Sequence, residues 1–291
     1  MKKFILGTAL VASSLMAEVS TITPYIGYVD YDSNPNKSIK DNGKLAGLTY
    51  TVGNLSYLLE LGYSHLNSSY KESNTTNIAD LRQDDFTIIY GEYKTNYTAK
   101  VGYHYTSTTD TTLGNGHIFN FTLGSHKYVG YDKYSYGLES YYSYYTDVHD
   151  ENGTQKSNVG IIQFTPYVSF YKAININTSN TITLKLNYER ASDYTDKSYT
   201  AVEFSDTLAY KSFFTTLGYY SGKAKTAVRD GGYTVYNSLD LLKTGYSLKL
   251  GYYINPKTIL SLSYAKNNYR EDGATEDGTN SVLVSTLNYT F

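Results

Sequence analysis

The sequence predicts an all-β fold, a transmembrane antiparallel up-and-down β-barrel of about fourteen strands, and three observations support it. The 291 residues include 36 Tyr, 10 Phe and 23 Gly but only 4 Pro, and aromatic residues favour strands. Apolar and polar residues alternate with a period of two, as in a strand with one apolar and one wet face. After the N-terminus no apolar run approaches the roughly 20 residues that a spanning helix needs.

A soluble β-sandwich is the alternative, and the positions of the charged residues argue against it. In the stretch from Ile182 to Glu189, apolar residues alternate with Thr183, Lys185 and Asn187. A sandwich would bury one of these two faces between its sheets. A closed barrel instead places one face against lipid and the other in a wet lumen, and it pairs its backbone groups between strands.

Taken in order, the alternating segments have about the 9 to 11 residues of a tilted spanning strand. Tight turns alternate with longer polar loops, which is the layout of a barrel with short periplasmic turns and long extracellular loops. The predicted strands are 20–31, 44–53, 54–66, 82–93, 96–107, 117–127, 133–146, 158–171, 180–190, 199–210, 212–222, 238–254, 258–270 and 281–291. The turn at 172–179 is expected to be looser than the others.

The N-terminus predicts a secretory signal peptide over residues 1–17, followed by the barrel over 18–291. Lys2 and Lys3 precede an apolar run that ends at Leu15, and Ala17 is a small residue suited to cleavage. Removal of this segment leaves 23 basic against 27 acidic residues, a net charge near −4. A mildly acidic chain argues against nucleic acid as a partner. The chain has no Cys, so neither disulfides nor a lipid-modified cysteine is expected.

The C-terminal stretch 281–291 alternates without a break and ends on Phe291, with Tyr289 two residues before it. Leu283 and Leu287 share their face, and Thr286, Asn288 and Thr290 take the other. This pattern resembles the C-terminal signal of bacterial outer-membrane β-barrels. The resemblance implies a multi-pass protein of the Gram-negative outer membrane, recognised by the barrel-assembly machinery through this strand. Outer-membrane lipid and lipopolysaccharide would then surround it.

Two further features belong to such a barrel. Aromatic residues gather toward both strand ends, as expected for interfacial girdles. They are Tyr97, Phe170, Tyr210, Phe213, Tyr252, Tyr289 and Phe291 near the short turns, and Tyr63, Tyr103, Tyr144, Tyr188, Tyr219 and Tyr264 near the long loops.

Two residues break the alternation of apolar and polar positions. Pro166 would remove a ladder hydrogen bond and predicts a bulge, and Asp206 falls on the lipid face unless a bulge near Ser205 turns it inward.

Fourteen strands enclose a lumen that is open unless a segment plugs it, and no loop is expected to form a folded plug. In strand count, mature length and loop alternation the chain resembles the monomeric fourteen-stranded porins of the outer-membrane porin G type. Trimeric porins carry a long inward third loop, whereas the corresponding segment here, 108–116, is short. The resemblance implies a monomeric passive diffusion channel for ions and small hydrophilic solutes. The alternative is a non-conducting structural or adhesive barrel whose loops bind a partner.

Strand parity predicts which charged side chains line the pore. They are Glu60, Asp85, Lys100, His104, Glu139, Lys185, Glu189, Glu203, Lys243 and Lys249. Acidic and basic residues are both present, and they form no ring of a single charge, so charge selectivity should be weak. If Lys94 and Thr95 form a two-residue turn, Asp85 lies directly opposite His104. Such a pair is either a local cross-strand contact or a pH-sensitive gate. Inward Tyr141, Tyr145 and Tyr167 line the lumen or stack sugar rings.

No enzymatic activity is expected. Outer-membrane phospholipases need a His and Ser constellation, and no His-x-Ser-Asn-Gly sequence surrounds any of the five histidines. Asp84, Asp85 and His65 resemble the aspartate and histidine dyads of outer-membrane proteases only weakly. The acidic loops lack calcium-loop spacing. We therefore expect no catalytic, cofactor-binding or metal site.

Overall fold

The computed structural model describes residues 19–34, 36–71, 80–109, 113–146, 158–192, 198–232, 234–235, 240–271 and 274–291. Over these residues the chain forms a closed antiparallel barrel of fourteen strands, in which each strand pairs with its neighbours in sequence order. This confirms the predicted fold class. The predicted signal peptide, residues 1–17, lies outside the described residues. Within the described ranges, no helix has the length and apolar character needed to cross a membrane.

The strand bounds agree with the prediction to within a few residues. The strands are β1 (Val19–Tyr31), β2 (Lys40–Gly53), β3 (Tyr57–Tyr70), β4 (Leu81–Tyr93), β5 (Tyr97–Thr108), β6 (Gly116–Val129), β7 (Asp132–Tyr145), β8 (Val159–Asn175), β9 (Thr178–Ala191), β10 (Ser198–Tyr210), β11 (Phe213–Ala224), the short β12 (Val228–Arg229) and β13 (Thr234–Val235), β14 (Leu241–Asn255), β15 (Thr258–Arg270) and β16 (Gly278–Thr290). The turn expected to be loose at 172–179 is tight, because β8 and β9 both extend into it.

The C-terminal strand closes the barrel. Tyr25 of β1 lies opposite Gly47 of β2 on one side and Thr286 of β16 on the other. The backbone N–H of Phe291 donates to the carbonyl of Ser20 at 2.9 Å. Because β1 and β16 pair along their length, the barrel has no free sheet edge.

The outward face is apolar, with aromatic pairs toward both ends. In β16, Leu283, Leu287 and Tyr289 are all exposed on this face. The ring pairs nearer the short turns are Phe213 with Tyr252 and Tyr289 with Phe291, and those nearer the long loops are Tyr63 with Phe86 and Tyr103 with Phe119. This surface matches the lipid-facing band of an outer-membrane barrel, flanked by its aromatic girdles.

Both predicted bulges are wrong. The register of β10 with β9 and with β11 is unbroken across Ser205 and Asp206. Asp206 therefore stays on the outward face, where Asn180 Nδ2 donates to its carboxylate at 2.5 Å. This hydrogen bond partly offsets the cost of an outward carboxylate. Pro166 pairs in register with Leu138 of β7, and the β8–β9 register is the same on both sides of it. Pro166 therefore interrupts the hydrogen bonding between β8 and a neighbouring strand without shifting the register.

Inward aromatic side chains lie flat against the wall where a neighbouring strand carries glycine. The Tyr167 hydroxyl lies over Gly137, and a Cβ at Gly137 would stand 2.5 Å from the Leu123 carbonyl oxygen and 2.7 Å from the Gly124 Cα. Those last two atoms are backbone, so they cannot move without disturbing the pairing of β6 with β7. The absence of a side chain at Gly137 is therefore a requirement of the wall.

Gly137→Ala should lower the free energy of unfolding in lipid vesicles by about 1–3 kcal/mol, because overpacking forces backbone shifts. The measurement is denaturant unfolding followed by tyrosine fluorescence. Gly160→Ala is the matched control, since a Cβ there meets nothing nearer than 3.5 Å and the change should stay within about 0.5 kcal/mol. Equal effects at the two glycines would contradict the argument.

Candidate functional site in the barrel lumen

The segment between β11 and β14 folds into the barrel. We call residues 225–235 the inward loop; it contains β12, a 3-10 turn at Asp230–Gly232, and β13. Gly232 lies against Asn120 of β6 and Ile89 of β4. In the fourteen-strand order, β4 stands seven strands from β11 in either direction. The inward loop therefore reaches the opposite wall, an inward course that the sequence did not predict.

Its middle is held by apolar packing and backbone hydrogen bonds. Val228 is buried and packs with Ile118 and Tyr141. Gln163 of β8 accepts from the Val228 N–H at 2.9 Å and donates to its carbonyl at 2.8 Å. The Gln163 side-chain amide thus satisfies both backbone groups of Val228 and holds the inward loop on the wall.

Acidic side chains of the wall hold the inward loop at its first residue, Lys225, and at Arg229. Glu189 is buried, and its Oε2 accepts from the Lys225 N–H at 2.9 Å. The Arg229 Nε lies 3.0 Å from Glu203 Oε1. The Arg229 guanidinium also stands 5.1 Å from the Tyr220 ring centroid, a cation–π distance. Two of the predicted pore-lining acids therefore bind the inward loop.

A row of charges of alternating sign continues from this contact along the wall. Glu203 of β10 is the register partner of Lys185 of β9. Lys185 Nζ lies 2.8 Å and 3.0 Å from the two carboxylate oxygens of Glu139 on β7. The Tyr141 hydroxyl donates to Glu139 at 2.9 Å. The row Glu139, Lys185, Glu203, Arg229 therefore carries no net charge.

Asp85 and His104 do meet, although not in the expected register. His104 Nε2 lies 3.2 Å from Asp85 Oδ1, while the residue opposite Asp85 is Thr106. The offset arises because the turn leaves Tyr93 paired with Thr98, so it is wider than the two residues assumed. His104 is buried, and its Nδ1 lies 2.8 Å from Thr87 Oγ1. The pair is a cross-strand contact diagonal to the ladder.

Four predicted pore-lining residues stand apart from the inward loop: Glu60, Lys100, Lys243 and Lys249. Glu60 is half-buried on β3 between Thr51 and Ile89. Lys100 Nζ stands 5.8 Å from the Tyr93 ring, and Lys249 Nζ stands 5.9 Å from the Phe214 ring. Lys243 sits at a register shift of β14 and pairs with Asp277 at 2.6 Å. It belongs to the rim at the long-loop end.

Two of the three inward tyrosines, Tyr141 and Tyr145, do not offer open stacking faces, whereas Tyr167 is half-buried. Tyr141 and Tyr145 are only 2% and 0% exposed. Tyr145 packs with Leu113, Val159 and Ile161. The suggestion that these two rings stack sugars is therefore wrong. Leu113, in the segment expected to be a short polar loop, is fully buried.

A second contact that the sequence did not predict ties three loop ends together at the long-loop end. We call Ile39, Lys40, Asp240 and Glu271 the mouth clasp. Lys40 Nζ lies 2.5 Å from Asp240 Oδ2, and the Ile39 N–H donates to Glu271 Oε2 at 3.0 Å. Burial raises the pKa of the Glu271 carboxyl, with nearby Lys40 opposing the shift and Asp240 reinforcing it.

A lumen cavity of about 300 Å³ lies beside the Arg229–Glu203 contact. It is lined by Thr183, Lys185, Glu203, Phe204, Ser205, Thr216, Gly218, Tyr219, Tyr220, Arg229, Gly245, Tyr246, Ser247, Ala265 and Asn267. The side chains of Phe204, Tyr219 and Tyr246 are exposed on the outward face, and most of the other lining residues are polar. Across the described parts of the chain, no group of three or more His, Asp or Glu is placed to hold a metal ion.

The fold is shared with known outer-membrane transport proteins. It is similar to the toluene transporter TodX of Pseudomonas putida, with a TM-score of 0.52 at 10% identity over 94% of this chain and 89% of that one. The CymD monoaromatic hydrocarbon channel is similar with a TM-score of 0.51 at 9% identity, over 94% of this chain and 88% of that one. The toluene transporter TbuX of Ralstonia pickettii is similar with a TM-score of 0.51 at 11% identity, over 95% of this chain and 90% of that one. No protein-family model and no curated protein matches the sequence.

At this identity the likeness shows the fold. A closed barrel with an apolar outer band and aromatic girdles is the architecture of outer-membrane proteins, and the chain is an outer-membrane β-barrel. The similar structures are hydrocarbon channels, so they support an outer-membrane barrel and not specifically the porin G type. They are named as transporters or channels.

Gln163→Leu should release the inward loop, because it removes both hydrogen bonds to Val228. Each bond contributes about 1 kcal/mol, so trypsin cleavage after Lys225 or Arg229 should become faster by on the order of tenfold. The cleavage products are followed by mass spectrometry. Gln83→Leu is the control, since Gln83 lies on β4 and donates to Asp85. Unchanged cleavage in Gln163→Leu would show that other contacts hold the loop.

The free energy of unfolding should fall as pH rises above about 4.5 because of Glu271. Its folded-state pKa is raised above its ordinary 4.5, so the folded state binds this proton more tightly and that stabilisation is lost as pH passes the raised pKa. Glu271→Gln keeps an acceptor for the Ile39 N–H and should flatten this slope. Denaturant unfolding at a series of pH values measures it, with Glu276→Gln as the exposed control from the same loop. A slope identical in wild type and Glu271→Gln would contradict the prediction.

Proposed function

We propose that the protein is a passive outer-membrane channel for small hydrophilic solutes and ions, and that the inward loop sets the width of its pore. The observation that carries this proposal is the loop itself, which crosses a polar lumen. It is anchored on one side by Gln163 and Glu203, and Gly232 reaches Asn120 and Ile89 on the other side. A barrel of fourteen strands would otherwise enclose a wide aqueous lumen. The similar structures support a channel role in general.

The chemistry of the lumen favours polar solutes over the hydrocarbons named for the similar structures. Inward positions carry Asp85, Glu139, Lys185 and Glu203. An apolar solute that passes these side chains displaces the water around them and makes no favourable contact in its place. The charges of both signs pair with one another. Such pairing leaves little net field along the path, so charge selectivity is weak.

Planar-bilayer recording tests the proposal. The wild-type protein should give small conductance steps, and a variant with residues 226–235 replaced by two glycines should give steps several-fold larger. Gln163→Leu should raise the conductance or its fluctuation in the same direction, whereas Gln83→Leu should leave it unchanged. With asymmetric salt, the reversal potential should stay near zero.

Absence of conductance in variants that migrate as folded barrels on unheated gels would refute the channel. The long loops would then be the functional surface of a structural or adhesive barrel. Uptake of toluene by vesicles containing the wild-type protein, without conductance of ions or passage of sugars, would instead favour a hydrocarbon channel.

A further inference from the structure

The lumen cavity beside Arg229 has the features of a solute-binding subsite. It is bounded by β9, β10, β11, β14 and β15, and by Arg229 of the inward loop. Its volume of about 300 Å³ is at the lower end of the range of small-molecule sites. Because Arg229 comes from the inward loop, a solute held here would lie directly beside the segment that narrows the lumen.

Room for the cavity is made by two glycines in adjacent strands. A Cβ at Gly218 of β11 would stand 2.3 Å from Ser247 Oγ, and a Cβ at Gly245 of β14 would stand 2.3 Å from Asn267 Oδ1. The polar side chains of Ser247 and Asn267 occupy the space that a larger residue would fill. The glycines therefore let these two polar side chains lie close to the wall, where they line the cavity.

The charges on one side of the cavity are already balanced. Lys185 pairs with Glu139, and Glu203 pairs with Arg229. Asn187 also donates to Glu203 at 2.7 Å. A ligand of net charge would bring an uncompensated charge into this neutral row. A neutral ligand meets a fixed set of charge-assisted hydrogen-bond donors and acceptors.

The other surfaces of the cavity carry hydroxyl groups. Thr183, Ser205, Thr216 and Ser247 all belong to its lining. Each hydroxyl can donate and accept, which suits a ligand that presents hydroxyls in several directions. A zwitterion such as a small amino acid would satisfy the charged row but place its hydrocarbon part against these hydroxyls. A hydrocarbon would make no hydrogen bond to any of these groups.

We propose that this cavity is a binding subsite for a small, neutral, polyhydroxylated solute such as a monosaccharide or a sugar alcohol. Lys185, Glu203 and Arg229 hold hydroxyls on one side, and Ser205 and Ser247 contact them on the other. The subsite deepens the proposed channel function, because it names the class of solute that pauses at the narrow part of the lumen. Binding itself does not depend on conduction.

Saturation-transfer difference NMR of the refolded protein in detergent micelles tests the subsite. D-glucose and sorbitol should show saturation transfer, whereas acetate and L-alanine should show little. Ser205→Phe and Ser247→Phe fill the cavity from two strands, and each should reduce the glucose signal several-fold. Ser263→Phe is the matched control, because Ser263 lies on the inward face of β15 opposite Lys249 and Val284 and does not line the cavity.

The outcomes separate the subsite from the channel. A signal for L-alanine but not for glucose or sorbitol would overturn the class of ligand. No transfer to any probe, or equal loss in all three phenylalanine variants, would overturn the subsite, while bilayer conductance would still decide the channel function. A glucose signal in a folded protein that conducts nothing would uphold the subsite and refute the channel.

Discussion

The pairing of β1 with β16 is the constraint on which the rest of the structure depends. It leaves no edge of the barrel sheet unpaired, which a sheet in lipid requires because no water is present there to satisfy backbone groups. Closure also gives every strand residue a fixed side. Ile182, Leu184 and Leu186 face outward while Thr183 and Lys185 face inward, so the parity of a position determines whether its side chain meets lipid or the lumen.

Charged side chains on the inner side are held mainly by one another and by the inward loop. Glu203 binds Arg229, Lys185 binds Glu139, and Glu189 binds the Lys225 N–H. A buried charge without a partner is unfavourable by several kcal/mol, so these pairings stabilise both the wall and the course of the loop. The loop and the lumen charges are thus one structural unit. The mouth clasp adds a second attachment, because Asp240 follows the inward loop and pairs with Lys40 of β2.

Small residues decide where space remains. Tyr167 lies flat over Gly137, and Ser247 and Asn267 extend over Gly218 and Gly245. At the first site the absence of a Cβ allows a large ring to lie against the wall. At the second it allows two polar side chains to lie close to the wall of the cavity beside Arg229. The same residue type therefore contributes to packing in one part of the barrel and to a candidate solute site in another.

The sequence by itself determined the strands, their two faces and the closing role of the segment ending at Phe291, because a period of two is a local property of the chain. It did not determine what depends on distant contacts. Asp85 meets His104 diagonally because the turn after Tyr93 is wider than its residues suggested. Asp206 faces outward because the register of β10 is unbroken, and Asn180 hydrogen-bonds to it there. Ala227 and Val228 are a local sign of the inward loop, as a short apolar pair in a largely polar segment. Its path across the lumen was decided by tertiary structure, since Val228 is satisfied by Gln163, 65 residues earlier in the chain.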